Sequence, residues 1–296
     1  MKNTIFTGAG VAIVTPFTAD GEIDYEGLGF LIDEQIEKGT DAIIICGTTG
    51  ESATMSDEEH KACIKFAVER TAKRIPVIAG TGSNDTKYAI ALSKEAEDMG
   101  VDALLVVTPY YNKSTQRGLI AHFTAIADSV NIPIILYNIP SRTGVSMTVE
   151  TIAKLAEHKN IVAVKEASGN ISFAAKLIAA CGDKIDVYSG NDDMIVPLMS
   201  LGAKGVISVL SNVAPDVAHN MAQAALDGDY ATAQKLQIEY LDLINALFIE
   251  VNPIPVKEAL NLMGKPSGEC RMPLYAMEDK NVLVLKSALE KHGLIK

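Results

Sequence analysis

The chain has 296 residues, of which 48% are hydrophobic and 21% charged, and its formal net charge at pH 7 is -11. This length accommodates one α/β barrel or two ordinary domains, and the acidic charge argues against nucleic acid or an anionic membrane as a partner. No stretch approaches the roughly 18 apolar residues of a membrane-spanning helix, and the N-terminus lacks a secretory signal. We therefore expect a globular cytoplasmic protein.

The four cysteines and five histidines are scattered along the chain. No pair of them has the spacing of a zinc site, and the cysteines show no pattern of a disulfide framework. We therefore expect neither a structural metal nor a disulfide-stabilised fold.

Short apolar runs recur along the chain, with helical patterns between them. Eight runs predict β-strands: Ala9–Val14, Ala42–Cys46, Pro76–Ala79, Ala103–Val107, Pro133–Tyr137, Ile161–Lys165, Asp186–Tyr188 and Gly205–Val209. Their spacing is mostly about 24 to 33 residues, the length of a βα unit. Eight such units favour a (β/α)8 TIM barrel over an open doubly wound sheet, and no glycine-rich dinucleotide fingerprint follows the first strand.

Helix-start signals support the alternation of strands and helices. Ser56-Asp57-Glu58-Glu59 has the spacing of a capping box, and Asn84-Asp85-Thr86 precedes a helix that runs to Met99 and is ended by Gly100.

After the last predicted strand the chain contains helical patterns without strands. They predict helices over Asp216–Leu226, Tyr230–Phe248, Val256–Met263 and Asp279–Lys291. Pro253 and Pro255 separate the second of these helices from the third. The sequence thus predicts a catalytic barrel over residues 1–225 and a C-terminal helical appendage over residues 226–296.

A lysine closes the sixth predicted strand, Ile161–Lys165. Complete burial lowers a lysine pKa by about 3–5 units because it disfavours the ammonium form. A partly neutral lysine is a nucleophile that forms Schiff bases with carbonyl compounds. The competing interpretations are an ion pair with Glu166 and a side chain that extends to water, although neighbouring strand residues point to opposite faces.

Other polar side chains follow neighbouring strands, at the end where a barrel enzyme has its active site. Strand two is followed by Gly47-Thr48-Thr49-Gly50-Glu51, strand four by Thr108-Pro109-Tyr110-Tyr111-Asn112, and strand five, which ends at Tyr137, by a loop with Arg142. These groups suit carboxylate binding and proton transfer. A glycine-rich turn, surface packing and a solvated arginine are the plainer interpretations. Convergence with Lys165 on one rim favours a Schiff-base enzyme that acts on keto acids.

Several segments together resemble the dihydrodipicolinate synthase family, and the resemblance covers essentially the whole chain. They are Gly47-Thr48-Thr49-Gly50-Glu51, Thr108-Pro109-Tyr110-Tyr111-Asn112, Tyr137-Asn138-Ile139-Pro140-Ser141-Arg142-Thr143-Gly144, Val164-Lys165-Glu166, Ser189-Gly190-Asn191-Asp192 and Cys270-Arg271-Met272-Pro273-Leu274. The glycine-threonine motif, the tyrosine and the lysine are shared with a wider pyruvate-lyase superfamily that includes N-acetylneuraminate lyase. The Ser141–Gly144 segment and the tyrosine pair are more specific to the synthases.

The resemblance implies a reaction and a role for each site residue. The reaction condenses pyruvate with L-aspartate 4-semialdehyde to 4-hydroxy-tetrahydrodipicolinate, in the diaminopimelate route to lysine, without a metal or cofactor. Lys165 is implied to form the Schiff base with pyruvate, and Arg142 to hold the carboxylate of the aldehyde. The implied proton-relay residues are Tyr137, Thr48 and Tyr111, the last from a neighbouring subunit. The implied pyruvate-binding residues are Thr49, Gly190 and Ile207.

The resemblance also implies an assembly and a regulatory site. Members of the family are usually homotetramers built from two tight dimers. In lysine-inhibited members the effector lies at the dimer interface, at positions that match Ser52, Ala53, His60, Asn84 and Tyr110 here. Asp57 stands where the inhibited enterobacterial pattern has a histidine, and Tyr88 where it has a glutamate. Since the second change removes a carboxylate partner for the effector's ammonium, the sequence predicts weak or absent lysine feedback.

Two alternative functions remain open from the sequence. One is another pyruvate-handling aldolase or lyase of the same superfamily; Arg142 and the Tyr110-Tyr111 pair argue against it. The other is a non-catalytic barrel that senses keto acids. The lysine, tyrosine and threonine set argues against the sensor, because a binding module has no use for a nucleophile in a dry pocket.

Overall fold

Eight strands pair in parallel, each with the next, and the last returns to the first to close a barrel. The computed structural model describes residues 4–296. The strands are β1 (Gly8–Ala12), β2 (Ala42–Ile45), β3 (Val77–Gly80), β4 (Ala103–Val107), β5 (Ile134–Asn138), β6 (Ile161–Glu166), β7 (Asp186–Ser189) and β8 (Gly205–Ser208). The predicted barrel is confirmed, and its predicted strands are displaced from these bounds by two residues or fewer.

Helices follow the strands, and most of them cover the outside of the barrel. They are α1 (Tyr25–Glu37), α2 (Asp57–Thr71), α3 (Thr86–Asp98), α4 (Gln116–Asp128), α5 (Pro140–Thr143), α6 (Val149–Leu155), α7 (Ile171–Cys181), α8 (Ile195–Ser200) and α9 (Pro215–Leu226). The short α5 instead contributes to a cavity at the C-terminal strand ends. The predicted capping box at the start of α2 is confirmed: Glu59 N donates to Ser56 Oγ at 3.2 Å, and Ser56 N donates to Glu59 Oε2 at 2.8 Å. Asp85 caps α3, as the sequence predicts.

Four further helices follow the barrel: α10 (Tyr230–Glu239), α11 (Leu241–Ala246), α12 (Ile254–Leu262) and α13 (Asp279–Lys291). The single helix predicted over Tyr230–Phe248 is wrong, because the chain changes direction at Tyr240, where φ is -93° and ψ is 6°. The break carries no glycine or proline. It lets α10 anchor to the barrel through Gln237 while α11 turns Ile244 toward the barrel mouth. The division at residue 225 stays a prediction.

Two apolar layers support this architecture. One fills the barrel, where Ile44, Leu105 and Tyr188 are buried side by side with other inward-facing residues; the other lies between the strands and the surrounding helices. The barrel closes tightly at Gly205, where a Cβ would collide with the carbonyl oxygen of Gly8. Within residues 4–296, no helix has both the length and the apolar character to cross a bilayer.

Candidate active site

A cavity of about 310 Å³ opens at the C-terminal end of the barrel strands. The structure brings to its lining six of the side chains and backbone positions that the sequence singles out: Thr48, Thr49, Tyr137, Arg142, Lys165 and Gly190. They come from the loops after β2 and β7, from the one-turn helix α5 and from the ends of β5 and β6. The convergence predicted for this rim is therefore present.

Lys165 lies at the end of β6 and is buried, with 5% of the residue exposed. Burial lowers the pKa of its amine to about 7; nearby Asp192 acts in the opposite direction, and Arg142 adds to the lowering. The amine lies 4.4 Å from the centroid of the Tyr137 ring. At neutral pH a large fraction of this amine is unprotonated and nucleophilic.

Glu166, the next residue on β6, faces away from the lysine. Its carboxylate accepts a hydrogen bond from Asn138 Nδ2 at 2.8 Å and another from Ser168 N at 2.7 Å. The competing interpretation, in which Lys165 pairs with Glu166, is therefore wrong, because the pleat of the strand separates the two side chains.

Tyr137 and Thr48 meet across the cavity, on β5 and on the loop after β2. Burial raises the pKa of Tyr137 to about 12, while Arg142 and a hydrogen bond with the Thr48 side chain oppose the increase. The phenol therefore keeps its proton at neutral pH. It can donate that proton to an oxygen that becomes negative, and it can recover one through the threonine hydroxyl.

Thr49 and Arg142 are joined by Asn252, a residue that the sequence analysis did not identify. Asn252 Nδ2 donates to Thr49 Oγ1 at 3.0 Å, and Arg142 Nη2 donates to the carbonyl oxygen of Asn252 at 3.0 Å. Asn252 lies between α11 and α12 and is 5% exposed. Its position next to Pro253 is the only local signal, and it lies outside the strand ends, where a barrel enzyme is expected to carry its site.

Asp192 also lines the cavity. The sequence analysis includes it in the Ser189–Asp192 segment but assigns it no role. Its Oδ2 accepts hydrogen bonds from Val209 N at 3.0 Å and Leu210 N at 2.9 Å. Burial raises the pKa of this carboxyl, and its hydrogen bonds and Lys165 act in the opposite direction. It thus connects the loop after β7 to the end of β8.

Two predicted site residues do not line this cavity. Tyr111 is 90% exposed, with a φ of 70°, on a loop outside the cavity. Ile207 is buried inside the barrel. Their assigned roles stay predictions.

A second cavity, of about 520 Å³, lies beside the first and shares Thr48, Tyr137 and Arg142 with it. Four of the predicted effector residues line it, namely Ser52, Ala53, His60 and Tyr110. The fifth, Asn84, lies next to it and donates from Nδ2 to the Tyr110 carbonyl oxygen at 3.3 Å. His60 Nε2 lies 2.9 Å from Gly80 O, and burial lowers the pKa of its imidazole.

The two positions that depart from the inhibited pattern contact each other. The Tyr88 hydroxyl donates to Asp57 Oδ1 at 2.7 Å, and Tyr88 lines the second cavity.

Across residues 4–296, no group of three or more histidine, cysteine or acidic side chains is arranged to hold a metal ion.

The sequence profile of the dihydrodipicolinate synthetase family matches residues 5–292. The chain is 57% identical over 295 residues to the 4-hydroxy-tetrahydrodipicolinate synthase of Acetivibrio thermocellus, with 100% of both chains covered. It is 60% identical over 292 residues to that of Lachnoclostridium phytofermentans, covering 98% of this chain and 99% of the relative. The solved structure of the chloride-inhibited dihydrodipicolinate synthase from Acinetobacter baumannii, complexed with pyruvate, matches with a TM-score of 0.97 and 46% identity, covering 99% of this chain and 100% of that one.

Proposed function

The chain belongs to the dihydrodipicolinate synthetase family, and from this premise we propose how its residues carry out the family's reaction. Its activity is that of a 4-hydroxy-tetrahydrodipicolinate synthase, an enzyme of lysine biosynthesis through diaminopimelate. We propose pyruvate and L-aspartate 4-semialdehyde as its substrates and the cytoplasm as its location. The observation that carries this proposal is the buried Lys165 amine, whose pKa is about 7, in a cavity lined by carboxylate-binding groups.

The first step joins pyruvate to the enzyme. The neutral amine of Lys165 attacks the C2 carbonyl of pyruvate, and the carbonyl oxygen leaves as water to give a protonated Schiff base. The Tyr137 phenol, which remains protonated because burial raises its pKa to about 12, supplies a proton to that oxygen. Thr49 holds the pyruvate carboxylate, and the Gly190 backbone lines the pocket.

The second step forms the new carbon–carbon bond. The Tyr137 phenolate left by the first step takes a proton from the methyl carbon of the Schiff base, which becomes an enamine and attacks the aldehyde carbon of the second substrate. The aldehyde oxygen takes a proton through Tyr137 and Thr48, and Tyr111 of a neighbouring subunit connects the relay to solvent. Arg142 holds the carboxylate of the semialdehyde, since its planar guanidinium suits bidentate recognition.

The last step releases the product. The amino group that came from the semialdehyde attacks the imine carbon, the Lys165 amine leaves as it takes up a proton, and the ring closes with the hydroxyl retained. Because Tyr111 is 90% exposed in the single chain, its role requires an assembly, and we propose the homotetramer of two tight dimers that the resemblance implies.

Reductive trapping tests the Schiff base directly. Borohydride added with pyruvate should fix a reduced pyruvate adduct on Lys165, which peptide mass spectrometry locates. A chain that stays unmodified under these conditions would contradict the proposed mechanism.

The pH dependence of trapping should follow the lowered pKa of Lys165. Since only the neutral amine attacks pyruvate, we expect the initial trapping rate to rise with pH, with a midpoint near the pKa of about 7, and then to level off. An ordinary exposed lysine, with a pKa of about 10.4, would give a rate that still increases at pH 9. Cyanoborohydride is a suitable reductant for the measurement, and a trapping rate that shows no plateau above pH 7 and still increases at pH 9 would contradict the lowered pKa of the amine.

Lysine should inhibit this enzyme weakly or not at all. Tyr88 takes the place of a carboxylate, and its hydroxyl is bonded to Asp57, so a partner for the effector's ammonium is missing. Initial rates measured against increasing lysine test this expectation. The double substitution Asp57→His with Tyr88→Glu, which restores the inhibited pattern, should increase lysine sensitivity.

Half-inhibition of the unmodified enzyme at sub-millimolar lysine would contradict the prediction.

A further inference from the structure

The loop that carries Thr48 and Thr49 has unusual backbone conformations at both ends. Cys46, just before it, and Glu51, its last residue, each have a φ of 55°, in the left-handed region that residues with a side chain rarely adopt. Between them the chain makes a tight turn in which Glu51 N donates to Thr48 O at 3.1 Å. Such a loop keeps its shape where surrounding contacts impose it.

Those contacts come from the C-terminal helical region through the Glu51 carboxylate. Lys257 Nζ, on α12, donates to Glu51 Oε1 at 2.8 Å, and Arg271 N donates to Glu51 Oε2 at 2.9 Å. The side chains of Lys257 and Glu51 are 2% and 0% exposed. Both carboxylate oxygens are therefore bound by groups that lie more than 200 residues away in the sequence.

Each N–H group of the Lys257 ammonium has a hydrogen-bond acceptor. Besides Glu51, its ammonium donates to Thr15 O at 3.2 Å and Glu269 O at 2.8 Å, which uses the three N–H groups of a lysine. It also lies 4.3 Å from the centroid of the Phe17 ring. These contacts fix the position of the Lys257 ammonium and therefore the position of the Glu51 carboxylate that it binds.

The C-terminal region also contacts the side chain of Thr49. Asn252 donates to the Thr49 hydroxyl at 3.0 Å, so contacts from outside the barrel reach the loop at Thr49 and at Glu51. Neither Glu51 nor Lys257 has a role in the proposed reaction, although both are buried and Glu51 lines the second cavity.

We propose that the Glu51–Lys257 ion pair is a positioning device for the reaction. It fixes the loop so that the Thr48 hydroxyl meets Tyr137 and the Thr49 hydroxyl meets the pyruvate carboxylate. Neither partner touches a substrate; both act through the loop. The inference rests on the roles proposed above for Thr48 and Thr49. The competing explanation is an ion pair that serves stability alone.

The test compares two double variants. Glu51→Gln with Lys257→Met removes both charges, so no buried charge is left without its partner. The matched control is Glu34→Gln with Lys265→Met, which removes another pair between the barrel and the C-terminal region, at 2.7 Å and with both side chains 17% exposed. Glu34 lies on α1, outside the loop that carries Thr48 and Thr49, and both of its carboxylate oxygens accept hydrogen bonds from Lys265 Nζ.

The readouts are kcat and the KM for pyruvate, with kcat counted per Lys165 site that borohydride traps, so that unfolded protein is not counted. We expect the Glu51 and Lys257 variant to lose roughly 10- to 100-fold in kcat, as displaced catalytic groups do, with trapping retained, while the control keeps the kcat of the unmodified enzyme. A kcat within twofold of the unmodified enzyme, or an equal loss in both variants, would overturn the proposal. Turnover by the unmodified enzyme tests the proposed function separately.

Discussion

Replacement of Lys165 by alanine is expected to abolish synthase turnover, with a fall in kcat of more than about 100-fold. The reason is that every covalent intermediate of the proposed reaction is formed on this amine. The fold should survive, because Lys165 makes no ion pair with the neighbouring Glu166, whose carboxylate is bound by Asn138 and Ser168. Removal of an amine whose burial lowers its pKa to about 7 also removes an unfavourable desolvation.

Steady-state kinetics and reductive trapping should be measured together on this variant. Lys165→Ala should neither turn over nor acquire a pyruvate adduct, while circular dichroism and the melting temperature stay close to those of the unmodified enzyme. Lys38→Ala, at an exposed lysine after α1, is the matched control and should retain both activities. Residual turnover above about one hundredth in a folded Lys165→Ala protein would point to another nucleophile.

Replacement of Arg142 by alanine is expected to impair use of the aldehyde more than use of pyruvate. The guanidinium lines the cavity and donates to the carbonyl oxygen of Asn252 at 3.0 Å, which directs it over the barrel mouth. A hydrogen bond to a charged group contributes about 1.5–3 kcal/mol, so kcat/KM for L-aspartate 4-semialdehyde should fall roughly 10- to 150-fold. Arg142→Lys should recover part of the loss, since it keeps the charge without the bidentate geometry.

The measurement separates the two substrates of this reaction. Trapping of pyruvate on Lys165 should proceed in Arg142→Ala nearly as in the unmodified enzyme, while saturation with the semialdehyde requires much higher concentrations. Arg117→Ala, at an exposed arginine on α4, should change neither. If the parameters for pyruvate and aldehyde fall equally, the role assigned to Arg142 is wrong.

The barrel was predictable because each βα unit carries its own signals. Buried parallel strands are short runs of β-branched and small residues, and polar caps such as Ser56 and Asp85 mark the helix starts. The break at Tyr240 was not predictable, because no residue there disfavours a helix and the tertiary anchor at Gln237 decides it. Tertiary contacts of this kind override local propensity.

The strand-end part of the site was predictable for a similar reason. In a parallel barrel all C-terminal strand ends meet at one rim, so Lys165, Tyr137 and Thr48 could be placed together from their positions alone. The contribution of the C-terminal region could not be predicted from the sequence. Asn252 reaches Thr49 over 203 positions of sequence, and Lys257 reaches Glu51 over 206, and no local pattern encodes either contact.

The use of L-aspartate 4-semialdehyde as the acceptor for pyruvate can be tested directly in one assay. Purified enzyme should be given pyruvate with L-aspartate 4-semialdehyde and, in parallel, with N-acetylmannosamine or a sugar-acid aldehyde, while pyruvate consumption is recorded. We expect rapid consumption with the semialdehyde alone. Consumption only with a sugar acceptor would keep the Schiff base but contradict the synthase assignment, and no consumption with any acceptor would contradict an enzymatic function.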